Sequence, residues 1–212
     1  MALTSREKAF GEDSGPTAVD RFGIWLSSIQ VRRHAGSLAG RTLVDAGCGY
    51  QGTFARTQLG TAEKVFLLDV SISPDLKADP RVTAIEGLLP GTLAAISDGT
   101  ADVVLCNSVL EHLWTPGAAL SEFMRILAPG GLALLNVPSW RGKVFLELSA
   151  FRLGLSPSCE MDDHKRYYDP RDLWPLLVEA GFRPRDIRCF RHKFGLNTFA
   201  VCRKPARTGA GA

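Results

Sequence analysis

Five short apolar runs recur along the chain, and four of them stop at an acid or an amide. RTLVDA carries Asp45 at its end, KVFLLD ends on Asp69, RVTAI is followed by Glu86, and ADVVLCN ends on Asn107; GLALLNVP is the fifth. Runs that are apolar on both faces belong to parallel strands covered by helices on each side. In an open parallel sheet, ligands lie beyond the carboxyl ends of the strands, where the strand order reverses. Scattered loop polars would not keep falling directly behind an apolar strand. The pattern therefore predicts an α/β fold in which Asp45, Asp69, Glu86 and Asn107 converge on one edge.

The segments between these strands are uneven. TPGAALSEFMRIL, residues 115–127, predicts a helix with Thr115 as cap, Pro116 in the first turn and an apolar stripe through Leu120, Phe123, Met124 and Leu127. LPGTLAAIS is a short helix candidate, whereas VSISPDLKADP has room for hardly a turn and should leave one face of the sheet thin. Residues 1–15 are polar, a frayed end or a lid. From Pro16 an amphipathic stretch predicts one helix or two short ones, with Trp25, Arg32 and Arg33 as side chains that either meet a substrate or pack and solvate.

Past Pro138, GKVFLELSAFRLGL is a further helix candidate leading into the polar connector SPSCEMDDHKRYYD. DPRDLWPLLVEAGF then predicts a helix capped by Asp169 and Asp172, bent or divided by Pro175 and ended by Gly181. RDIRCF and NTFAVCR, joined by RHKFGL, predict an antiparallel hairpin. With no internal repeat and no linker, the expected organisation is a helical cap over 1–40, a domain core over 41–203, and a mobile tail over 204–212.

Composition narrows the partners. A formal charge of +3 over 212 residues is too small to mark a nucleic-acid binder, and no apolar run is long enough to span a bilayer. Five cysteines without a Cys-x-x-Cys pair suit a reducing compartment, and the first residues lack an apolar signal core, so a cytoplasmic location is expected.

The ligand question centres on LVDAGCGYQG, residues 43–52. Gly47, Gly49 and Gly52 have the spacing of a dinucleotide turn. Asp45, two residues before the first glycine, would repel the pyrophosphate that such a turn holds. S-adenosylmethionine has no phosphate. It offers an ammonium and a sulfonium to an acidic strand end, and glycines at 47 and 49 allow its close approach. Asp69 suits a ribose diol, and Glu86 suits the adenine amino group, with the Gly87 and Leu88 amides near the same ring. A metal has no recognisable ligand set, Asp162 and Asp163 beside His164 lacking distant partners, so none is expected. Cys48 has its thiol in the turn, where a helix N-terminus would lower its pKa; its small apolar size explains it without chemistry.

In LVDAGCGYQG, KVFLLDVS, ADVVLCNSVLEHL, ALSEFMRILAPGGLALLNVP and LWPLLVEAGF the chain resembles class I S-adenosylmethionine-dependent methyltransferases, most closely the small-molecule subgroup called methyltransferase type 11. The combination of VLEHL with RILAPGG is the most specific part. The resemblance implies a Rossmann-like three-layer sandwich with a seven-stranded, mostly parallel sheet of order 3-2-1-4-5-7-6, strand seven antiparallel. It implies a cofactor site of Asp45, Gly47, Cys48, Gly49, Asp69, Val70, Glu86, Gly87 and Asn107. Two departures stand out: the third glycine falls at Gly52 where the family usually has it at the position of Gln51, and the second crossover lacks its full helix.

Methyl transfer from a sulfonium requires nucleophile, carbon and sulfur in line. A hydroxyl acceptor also benefits from a base, and histidine is the natural one near neutral pH. His164, in DDHKRYY, is the first candidate and His112, in VLEHL, the second; each also has a purely structural explanation, as does Glu111. Trp140, Arg141, Lys165, Arg166 and Tyr167 are acceptor-contact candidates, the lysine and arginine pointing to a carboxylated or phosphorylated small molecule. The reaction expected is methylation of a hydroxyl or carboxylate oxygen. The alternatives are a nitrogen acceptor, a small RNA, a non-catalytic binding protein and, against Asp45 and VLEHL, an NAD-dependent oxidoreductase. Oligomeric state is left open.

Overall fold

The computed structural model describes residues 8–13, 15, 17–145 and 164–206. Asp162, Asp163 and most of the helix expected in GKVFLELSAFRLGL lie outside the described residues, as do 207–212.

Seven strands form one sheet: β1 (Thr42–Ala46), β2 (Lys64–Asp69), β3 (Val82–Glu86), β4 (Ala101–Asn107), β5 (Leu127–Pro138), β6 (Ile187–His192) and β7 (Asn197–Arg203), in the order β3-β2-β1-β4-β5-β7-β6. All pairings are parallel up to β4–β5, while β7 runs antiparallel to both β5 and β6. The strand alternation sorts the core into two layers. Val44, Phe66, Val104 and Leu135 face one side, and Leu43, Leu67, Leu105 and Leu134 the other.

The first layer is thick. Helix α4 (Pro116–Ile126) supplies Leu120 and Phe123, and α5 (Pro170–Glu179) supplies Leu173 and Leu177. A capping box between Asp169 and Asp172 starts α5, which continues unbroken through Pro175. Thr115 makes no side-chain cap to α4, because its backbone takes φ −121°, ψ 67° rather than the extended cap conformation. The stretch 91–95 is 3₁₀ rather than α-helical.

The second layer is thin over β2 and β3, as the short crossovers predict. Helices α2 (Thr53–Arg56) and α3 (Pro74–Lys77) are single turns. Its main body is the single helix α1 (Ala18–Ala35), which opens with a Thr17–Asp20 capping box. Only Ser27, Val31 and Ala35 of α1 are buried, and Val19, Phe22, Trp25 and Ile29 form an exposed apolar stripe. The amphipathic pattern is thus present, but the N-terminal half overhangs the strand ends instead of packing on the sheet, and its apolar side chains stay partly exposed. No helix among the described residues is long and apolar enough to cross a membrane.

Phe123, fully buried between α4 and the sheet, tests this packing. Phe123→Ala should lower the unfolding free energy by about 3–5 kcal/mol in denaturant titration, with an unchanged m-value.

Candidate functional site

The carboxyl ends of β1, β2 and β4 open into a cavity of about 660 Å³, roofed by α1 and by the β6–β7 turn. That volume is in the usual range for small-molecule sites, roughly 300–1,000 Å³. Asp45, Gly47, Cys48, Gly49, Asp69, Asn107, His112 and His164 all line it, so residues spread over 120 positions of sequence meet at one place.

Strand β1 runs into the glycine turn, and β2 holds that turn closed. The Gly47 and Cys48 N–H groups both donate to the Leu68 carbonyl, at 2.7 and 3.2 Å. Asp69 accepts from the Gly49 N–H through one carboxylate oxygen and from its neighbour Val70 N–H through the other, each at 2.8 Å. Gly47 has φ +83° and a Cβ there would overlap the Val109 side chain. Gly52 serves a different purpose. It lies outside the cavity lining, at φ +52°, where a Cβ would stand 2.8 Å from Leu76. The Phe10 carbonyl accepts from Tyr50 N–H at 2.9 Å, which lays residues 8–13 across the turn.

Asp45 is buried beside this turn. Burial, reinforced by the Asp69 carboxylate, pushes its pKa up to about 7. The Cys48 thiol is raised well above its ordinary range, first by burial and then by Asp45 and Asp69. The lowered value that a helix N-terminus would give it is absent because α2 begins only at Thr53.

Across the floor, Asn107 and Asn136 stand opposite in the β4–β5 register, and Asn136 donates to Asn107 at 2.9 Å. Ser27 of α1 lies 3.4 Å from the same Asn136 amide, so this buried amide joins the helix to the strand ends. Asn136 escapes a reading based on strand termini because it sits inside GLALLNVP; an amide interrupting an otherwise apolar run was its available signal. Ser108 follows with φ +56°, an uncommon conformation for a residue with a side chain.

The two histidines meet on the wall. Their ring centroids are 4.8 Å apart, and donor atoms of Glu111, His112 and His164 lie within 4.8 Å of one another. The His164 Nδ1 is 3.2 Å from the Tyr167 hydroxyl. The connector is pinned by Lys165 N–H on the Glu111 carbonyl and by Tyr168 N–H on the Pro138 carbonyl.

Other sequence candidates lie outside the cavity lining. Glu86 is tied to Lys77 at 2.9 Å and to the Ile72 N–H at 2.8 Å, on the rim next to Asp69. Gly87 N–H donates to the Asp69 carbonyl. Trp140 donates to Asp172 on α5 and packs on Tyr167, and Arg141 reaches Gly195. Lys165 stands over the Trp114 ring, and Arg166 donates to the Trp114 carbonyl.

The raised Asp45 pKa makes a stability prediction. Folding favours its protonated form, so the associated stabilisation is complete below the unfolded carboxylate range and is lost as pH rises through about 7. Between pH 5 and pH 8 the ligand-free protein should lose on the order of 2–3 kcal/mol more unfolding free energy than Asp45→Asn does. Parallel slopes for the two proteins in denaturant titrations would contradict the assignment.

Comparison with known proteins identifies the family. A family model described as a methyltransferase domain matches residues 21–187. A Mycolicibacterium smegmatis protein named "Probable S-adenosylmethionine-dependent methyltransferase" is 29% identical over 92% of the chain and 73% of its own length. The ubiquinone biosynthesis O-methyltransferase of Psychrobacter arcticus is 29% identical over 71% of the chain, which spans 62% of that relative's length. Among solved structures, a SAM-dependent methyltransferase of Archaeoglobus fulgidus superposes with a TM-score of 0.61 at 14% identity, covering 85% of this chain and 94% of that one, a likeness of fold. The chain belongs to the methyltransferase domain family and is a class I S-adenosylmethionine-dependent methyltransferase.

Proposed function

We propose that this enzyme methylates an oxygen atom, of a hydroxyl or carboxylate, on a small molecule. The observation that carries this reading is the meeting of the acidic strand ends with His112 and His164 in one cavity. The name of the P. arcticus relative, an O-methyltransferase, supports oxygen as the acceptor atom.

On this reading Asp45 faces the cationic methionine end of the cofactor, with Gly47, Cys48 and Gly49 shaping the turn around it. Asp69 receives the ribose hydroxyls; an ionised carboxylate has about four acceptor positions, and the Gly49 and Val70 N–H groups occupy two. Adenine lies toward the rim at Glu86 and Gly87, where its amino group competes with Lys77 for the Glu86 carboxylate. Asn107 closes the floor. Trp140, Arg141, Lys165 and Arg166 support the acceptor side from outside the cavity.

His164 is the base for a hydroxyl acceptor. When its Nδ1–H donates to the Tyr167 oxygen, Nε2 carries the lone pair that takes the acceptor proton. The acceptor oxygen forms its bond to the methyl carbon as the carbon–sulfur bond breaks. The electron pair stays on sulfur, giving neutral S-adenosylhomocysteine, and the hydroxyl proton ends on His164. His112, one ring contact away, is the alternative base.

Three measurements check the assignments. Asp69→Ala should weaken S-adenosylhomocysteine binding by about 100-fold in calorimetry, with Asp69→Asn intermediate; an unchanged affinity contradicts the pose. His164→Ala should keep that affinity yet lose about 10²–10⁴-fold in turnover on a hydroxyl acceptor found by tritiated-methyl screening, and retained turnover removes it as base. Turnover should also survive chelation. Loss on chelation with recovery on adding a divalent cation would assign Glu111, His112 and His164 to a metal instead.

A further inference from the structure

Lys193 is the lysine or arginine found among the described residues lining the cavity, and the methyl-transfer scheme leaves it unused. It comes from the β6–β7 turn, distant in sequence from every motif. Its backbone has φ +48° and that of Phe194 φ +59°, two successive left-handed residues that carry a Cβ. Such conformations persist where the surroundings hold them, and they recur at ligand clamps. Here they send Lys193 inward against α1, its Nζ 3.5 Å from where a Cβ of Gly23 would stand.

The ammonium has no hydrogen bond or ion pair among the described residues. Asp20 on α1 and Glu111 just after β4 line the same cavity and act on it through space, without an ion pair to it. Burial lowers its pKa to about 8, which leaves it mostly charged at neutral pH. A cation in a cavity with no carboxylate in direct contact can take an anionic guest as its ion-pair partner. Beside it, Phe22 and Phe194 line the same cavity while exposing large parts of their rings, 52% and 81%. These are surfaces that a flat apolar guest would cover.

We propose that the methyl acceptor is an aromatic carboxylate whose anionic group pairs with Lys193 while Phe22 and Phe194 cover its ring system. The proposal rests on the reading that cofactor and acceptor share this cavity, and it names the acceptor's chemical class. Lys165 and Arg166, the cations that sequence alone offers for this task, are engaged with Trp114 outside the cavity lining.

The test compares 2-naphthoate with its neutral analogue 2-naphthamide by calorimetry, with and without saturating S-adenosylhomocysteine. The wild type should bind the carboxylate about tenfold more tightly than the amide. Lys193→Met should abolish that preference and Lys193→Arg should retain part of it, both keeping the wild-type affinity for S-adenosylhomocysteine. Equal binding of the two probes, no binding of either, or a preference that survives in Lys193→Met would overturn the proposal. A large loss of S-adenosylhomocysteine affinity in Lys193→Met would also overturn it, assigning the ammonium to the cofactor's own carboxylate. Failure of the wild type to bind S-adenosylhomocysteine would strike the cofactor placement, and the arms run without it still decide the role of Lys193.

Discussion

The hydrogen bond from the Gly49 N–H to the Asp69 carboxylate joins the turn after β1 to the end of β2, and the shape of the cavity follows from it. A glycine turn of this kind exposes several backbone N–H groups and has no side chains to hold it. Asp69 supplies the anchor from the neighbouring strand. With the turn fixed, Gly47 can approach Val109 closely, and the space above the strand ends stays open. The same contact places two carboxylates near each other, and Asp45 answers by retaining its proton more readily.

That electrostatic arrangement suits a cationic guest. A binding site for a dinucleotide would face two negative charges where it needs positive ones. On the proposed reading a sulfonium and an ammonium relieve the repulsion between Asp45 and Asp69, so binding energy is available from a strain that folding leaves in place. On the same reading the cavity also brings two imidazoles and an ammonium beside exposed rings to the acceptor.

The strands and their order were legible because parallel strands covered on both faces must be apolar throughout. Residues that break the pattern at their ends, such as Asp45, Asp69 and Asn107, therefore stand out. Helix α5 was legible from a cap, two acids and a stripe, all local. The apolar spacing of α1 shows which residues share a face but not which way the face points. Val19, Phe22 and Trp25 share one, and it overhangs the strand ends, where Val19 and Phe22 line the cavity while staying partly exposed.

Sequence by itself determined the sheet, its carboxyl-end chemistry and the kind of cofactor, because each depends on residues adjacent along the chain. Only the tertiary structure decided which cations and amides enter the cavity. Lys165 and Arg166 cluster in sequence yet settle on Trp114, while Lys193, with no local signal, turns inward. The reason is physical: the inward direction of Lys193 is imposed by two positive φ angles in a hairpin clamped between β7 and α1. No nearest-neighbour preference encodes a backbone conformation that only long-range packing makes tolerable.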